Sequence, residues 1–125
     1  MDTYEIKIAE DTKYEIRLMA VRCGRDLSVT VCGGTLHHVG AVALACGCMP
    51  DGSALKYSAT ISTIVVLDHK DDAVAKILAG RLADEIHGNV TVTAGIHIDH
   101  ARQEELEILQ KNCMKACELL TEKLA

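Results

Sequence analysis

The chain reads as an α+β fold: a single domain whose mixed, mainly antiparallel sheet carries two helices from the C-terminal half packed on one face. Three observations predict this. Period-two apolar patterning fills roughly residues 4 to 46, helical periodicity appears twice after residue 70, and one short strand-like run separates the two helical stretches. At 125 residues the chain can close one core and falls short of two, so the domain is taken as 1–125.

Four strands are predicted first, from Tyr4, Ile6 and Ile8, from Tyr14, Ile16, Leu18 and Ala20, from Leu27, Val29 and Val31, and from Val39, Ala41, Ala43 and Ala45. Glu10-Asp11-Thr12-Lys13, Cys23-Gly24-Arg25-Asp26 and Cys32-Gly33-Gly34-Thr35 supply turn residues between them, so an antiparallel meander is the simplest assembly. The fourth strand alternates Val and Leu with Ala. Such small side chains let a helix pack closely, the commoner cause, or let a flat ligand approach the backbone. After the loop Met49-Pro50-Asp51-Gly52-Ser53, residues 58 to 67 predict a strand with a polar start and a buried, apolar end.

Val74, Ile77, Leu78, Leu82 and Ile86 predict a helix over residues 71–86, with Asp68 as N-cap and Asp71 and Asp72 complementing its dipole. His87-Gly88-Asn89 ends it. Val90-Thr91-Val92-Thr93-Ala94 is a further strand, and the strand, helix, strand order implies a right-handed crossover with those two strands parallel. Leu106, Leu109, Cys113, Ala116, Leu119 and Leu120 mark a second helix that begins near Arg102 and runs almost to the last residue. One helical layer leaves the other sheet face to be covered, so a homo-oligomer is expected, a dimer first.

Composition narrows the function. There is no Phe or Trp, and Tyr4, Tyr14 and Tyr57 are the only aromatics, so the core is aliphatic and base stacking has little to work with. A formal charge of −5 without a basic stripe argues against a nucleic-acid partner. The first residues lack the apolar core of a signal peptide and no apolar run is long enough for a membrane span, so a cytoplasmic protein with no membrane role is expected. Six cysteines in such a chain read as reduced thiols. Neither Cys46-Gly47-Cys48 nor the Cys113, Cys117 pair has zinc-knuckle or redox-motif spacing, so small buried residues are the simpler reading.

Five of the six histidines fall in three short polar breaks at strand ends: Thr35-Leu36-His37-His38-Val39-Gly40, Asp68-His69-Lys70-Asp71-Asp72 and Gly95-Ile96-His97-Ile98-Asp99-His100. In an extended segment His97 and Asp99 share one face, a usable ligand or acid/base pair, or a purely structural one. A metal would need a third ligand, and His38 or His69 is the natural candidate. His37 and His38 face opposite ways, and His38 is favoured for the site. Asp68-His69-Lys70 precedes a helix N-terminus that attracts anions, although Asp71 and Asp72 make the local charge mixed and suit a phosphate bridged by a metal or lysine. Cys32-Gly33-Gly34-Thr35 could also cradle phosphate, or simply turn. There is no G-x-G-x-x-G, P-loop, G-x-S-x-G or H-E-x-x-H motif.

Gly33-Gly34, then His38-Val39-Gly40-Ala41-Val42-Ala43-Leu44-Ala45, Ser58-Ala59-Thr60, His69-Lys70 and Ala94-Gly95-Ile96-His97-Ile98-Asp99, in this order, resemble the prenylated-flavin chaperones of the LpdD-like family. Asp68 stands where the pattern has glycine before His-Lys. The resemblance implies an accessory protein rather than an enzyme. It would bind prenylated FMN, or FMN, and deliver or mature it for a UbiD-like, gallate-type decarboxylase. On that reading His38, His69, Lys70, His97 and Asp99 meet the phosphate or a bridging divalent metal, the metal set being His38, His69, His97 and Asp99. Gly33, Gly34, Gly40, Ala41 and Gly95 would allow the flavin to approach closely. Two other readings stay open: a metal-dependent enzyme using the same His and Asp residues to activate water, and a structural decarboxylase subunit docking through Glu104, Glu105 and Glu107.

Overall fold

The computed structural model describes residues 1–47, 60–66 and 71–125. Three strands open the chain, β1 (Thr3–Ile8), β2 (Ile16–Cys23) and β3 (Asp26–Gly34). They are followed by β4 (Ala41–Cys46), β5 (Thr60–Val65), helix α1 (Asp72–Ile86), β6 (Asn89–His97) and helix α2 (Gln103–Leu124). The sheet order is β1-β2-β3-β6-β4-β5.

The meander holds for three strands and not for four. β6 inserts between β3 and β4, parallel to the first and antiparallel to the second. Turn residues after β3 mark a change of direction without saying where the next strand lands. β5 pairs antiparallel with β4, so β5 and β6 do run the same way, as a crossover through α1 requires, with β4 between them.

The expected buried end of β5 is also corrected. β5 is the outermost strand, Ile64 is 78% exposed and Val65 44% exposed. An edge strand has one hydrogen-bonded neighbour and keeps little of its apolar surface from water.

Alternation decides which face is covered. Ile6, Ile16, Leu18, Val29, Val31, Ala43, Val90 and Val92 are all buried, and each belongs to the set of strand positions pointing to one side. Leu78 and Leu82 of α1 and Leu109 and Leu120 of α2 close over them as one core. Ala41, Ala43 and Ala45 are no more than 1% exposed and lie beneath α1, which packs on β4, so the small residues serve helix packing. Among the described residues no helix packs on the opposite face. Its positions are charged on β1 and β2, where Glu5, Lys7 and Arg17 stand, and uncharged toward β4 and β5, where Val42, Leu44 and Ile64 point outward.

The helix ends are fixed by specific contacts. α1 begins after Asp71, not Asp68, which lies outside the described residues, and it ends at His87 in the left-handed region, φ 51°. α2 begins at a reciprocal pairing: Glu105 N–H donates to the Arg102 carbonyl at 3.0 Å, and Arg102 N–H donates to Glu105 Oε1 at 3.1 Å. Its other oxygen meets Lys13 Nζ. Glu105 is therefore buried, 5% exposed, which removes it from the solvated acidic face that sequence assigned to it. Lys13 beside it, joined by the Arg102 N–H, lowers its carboxyl to about 2. No helix among the described residues is long and apolar enough to cross a membrane.

Candidate functional site

Four chain segments converge at one end of the sheet. β3 and β6 run parallel and both end there, β4 starts there, and the N-terminus of α1 sits beside them. Crevices at the C-terminal ends of parallel strands are where open α/β sheets bind ligands.

Glycine lets these segments close on each other. A Cβ on Gly95 would run into the His38 carbonyl, and one on Gly40 would run into the Asp71 carboxylate and stand 3.1 Å from His38 Nε2. Gly34, at φ +74°, takes a conformation that suits glycine and donates its N–H to the Glu15 carbonyl at 2.9 Å. Gly33 abuts the Glu15 carbonyl and Ile16. The room left by all four is thus filled by the chain itself. Ala41, expected beside the flavin, is buried at 1% exposure beneath the helical layer.

Asp71 is the hinge pin of the site, and sequence reasoning did not select it. Its carboxylate accepts the Ile96 N–H at 2.9 Å through Oδ1 and meets His38 Nε2 at 3.0 Å through Oδ2, tying α1 to β6 and to the segment entering β4. A DD pair ahead of a helix ordinarily serves the dipole or the cap, which hid this role. His38 Nδ1 faces the Leu36 carbonyl at 3.3 Å.

His38 and His97 are brought together, their ring centroids 6.3 Å apart and nearly perpendicular. His97 Nε2 meets Asp99 Oδ1 at 2.7 Å, and that hydrogen bond holds the Asp99 carboxyl below its ordinary range. Each histidine therefore has its own carboxylate. His37 is half exposed and 3.9 Å from Glu15 Oε1, away from this pair. His69 and Lys70 lie outside the described residues. Among the described residues no group of three His, Cys, Asp or Glu side chains is placed to hold a metal ion. Of the expected metal set, His69 is not among the described residues; of the other three, Asp99 meets His97 and His38 meets Asp71.

Beside the pair opens a groove of about 420 Å³ between α1, β6 and α2. Val74, Ile96, Ile98, Leu106 and Leu109 give it apolar walls, and Asp71, His97, Gln103 and Gln110 give it a polar rim. Its size and character suit a small-molecule site. The wall from α2 was missed at the sequence level, since Leu106 and Leu109 simply continue the helix's apolar row. Cys113 also lines the groove, and burial pushes its thiol up to about 12. Cys117 rises to about 11 for the same reason, and both behave as small apolar residues.

The described domain of prenylated flavin chaperones, LpdD-like, matches residues 10–125. Protein LpdD of Lactiplantibacillus plantarum is 28% identical over 98 residues, covering 78% of this chain and 68% of that protein. A chain in the crystal structure of a chaperone complex for yeast 20S proteasome assembly shares the fold, with a TM-score of 0.62, 17% identity and 100% of both chains covered. The match to the flavin-chaperone domain takes in the convergent glycines, the histidine pair and every wall of the groove, and the chain belongs to the prenylated flavin chaperone, LpdD-like family.

Proposed function

We propose that this chain binds prenylated FMN and holds it for a UbiD-like decarboxylase, acting as a non-catalytic accessory protein. The observation that carries the reading is the apolar groove ending at the His38 and His97 pair. A prenylated flavin has a broad apolar ring system and an anionic tail. The aliphatic walls Val74, Ile98, Leu106 and Leu109 fit the former without an aromatic stack. His97, on the rim, turns its imidazole toward polar or anionic atoms, and His38, bonded to Asp71, stands behind it. The phosphate is assigned to this same end, beside the N-terminus of α1, and the resemblance makes His69 and Lys70, which precede that helix in sequence, its partners. A gallate-type partner follows from the family resemblance alone.

The test is anaerobic native mass spectrometry of the protein co-produced with a prenyl-flavin synthase. The expected result is a retained mass matching prenylated FMN in the wild type, lost in Leu106→Arg, which places a charge on a wall residue that is 48% exposed and free to change without unfolding the core. His97→Ala should lower occupancy. Retention of a metal ion without flavin, or full flavin occupancy in Leu106→Arg, would overturn the assignment.

A further inference from the structure

We infer that the sheet face opposite α1 and α2 is a self-association surface, packed in solution against the same face of a second copy of this chain. The pattern of β4 is the reason. In a sheet covered on one side only, an interior strand is expected to send its larger apolar residues inward and polar ones outward. β4 does the reverse: Ala41, Ala43 and Ala45 point to the helices, whereas Val42 and Leu44 point away from them, Leu44 being 42% exposed. Ile64 lies directly opposite Val42 on the adjoining strand and is 78% exposed.

The face is built for a neutral, flat partner. Across the middle of β3, β6, β4 and β5 its outward positions, among them Thr30, Thr93, Val42 and Leu44, include no acidic, basic or histidine side chain. Asp26 and His97 come only at strand ends. On the β1 and β2 side charges return as both signs, with Lys7 3.6 Å from Glu5 and Arg17 Nε 2.9 Å from Glu15 Oε1, so one copy presents no charge surplus to another. An uncharged face can meet itself across a two-fold axis without like charges opposing, which a charged partner's surface would not require.

Size agrees with a reversible dimer. The six strands, about 4.8 Å apart and each offering three alternate positions about 6.8 Å apart, cover about 600 Å² in plan. Two such faces remove about 1,200 Å² before side-chain relief is counted, the lower end of specific interfaces. Two sheets stacked in this way give a four-layer molecule with the helices outermost and the two cofactor grooves on the outside.

Sedimentation equilibrium of the full chain over a concentration series tests the inference. The wild type is expected at twice the chain mass. Leu44→Glu should weaken the dimer at least 100-fold, because each substitution meets its symmetry-related neighbourhood twice. Ile64→Glu, at a site too exposed to affect folding, should weaken it in the same direction. Ile77→Glu, on the outer side of α1 and 40% exposed, should leave it unchanged. A monomeric wild type, or a dimer that survives both Leu44→Glu and Ile64→Glu, overturns the proposal, as does a monomer that uses Leu44 only to capture a decarboxylase.

Discussion

Asp71 is 6% exposed and accepts hydrogen bonds from two other chain segments, so one carboxylate ties His38 and β6 to the start of α1. Replacing it with alanine leaves the Ile96 N–H without its acceptor, and a buried unpaired donor costs about 1–3 kcal/mol. Asp71→Asn keeps an oxygen for Ile96 N–H and offers an amide N–H to His38 Nε2, which the neutral ring accepts while its Nδ1 still donates to Leu36. Urea denaturation should therefore place Asp71→Asn closer to the wild type than Asp71→Ala. Equal stability of all three would show that the clamp contributes nothing. Gly95→Ala tests the same junction from β6. The added methyl meets the His38 carbonyl, which is backbone and cannot swing aside, so a loss of about 1–3 kcal/mol or more is expected, with weaker flavin retention. The histidines and glycines of this site were legible from their clustering. Asp71 was not, since nothing in a DD pair shows that a strand formed 25 residues later will need its oxygen.

The elements show where pattern is enough and where it fails. Each strand and both helices were visible as periodicity, because alternation and 3.6-residue spacing are local consequences of having one dry face. Strand order was not, since β6 reaches its place between β3 and β4 through contacts far apart in sequence. Burial of Glu105 was hidden for the same reason: its partner Lys13 lies in the turn between β1 and β2. Two measurements follow. Ala43→Leu should destabilise by about 1–3 kcal/mol through overpacking beneath α1, and any protein that folds should keep its flavin, because β4's alanines face the helix. Lost flavin at undiminished stability would return those alanines to the cofactor. The α2 anchor carries a pH dependence. The Glu105 carboxyl falls from 4.5 in the unfolded chain to about 2 in the fold, so its stabilisation is complete above about 4.5 and is lost as pH drops toward 2. Glu105→Gln should melt below the wild type at pH 7, and the gap should close as melts are repeated down to pH 2. A gap independent of pH would mean that the pairing contributes shape alone.

At the scale of the whole molecule the fold separates two surfaces. The flavin groove opens between the helices and the end of β6, whereas the proposed contact between copies lies on the opposite side of the sheet, with the core of Ile16, Leu18, Val92, Leu78 and Leu82 between them. The two surfaces share only His97, at the end of β6, and their other residues lie on opposite sides of the sheet, so each surface should be removable without the other. Leu44→Glu is expected to give a monomer that retains prenylated FMN at the wild-type ratio per chain, and Leu106→Arg a dimer that retains none. One native mass spectrum of each variant reads both quantities together. A Leu44→Glu monomer that has also lost its flavin would mean that the second copy shapes the site, and His97 would be the residue through which it does so, since His97 ends β6 on the side that faces the partner sheet. Retention in the monomer would instead make the dimer a platform that carries two independent cofactors outward, toward whatever enzyme receives them.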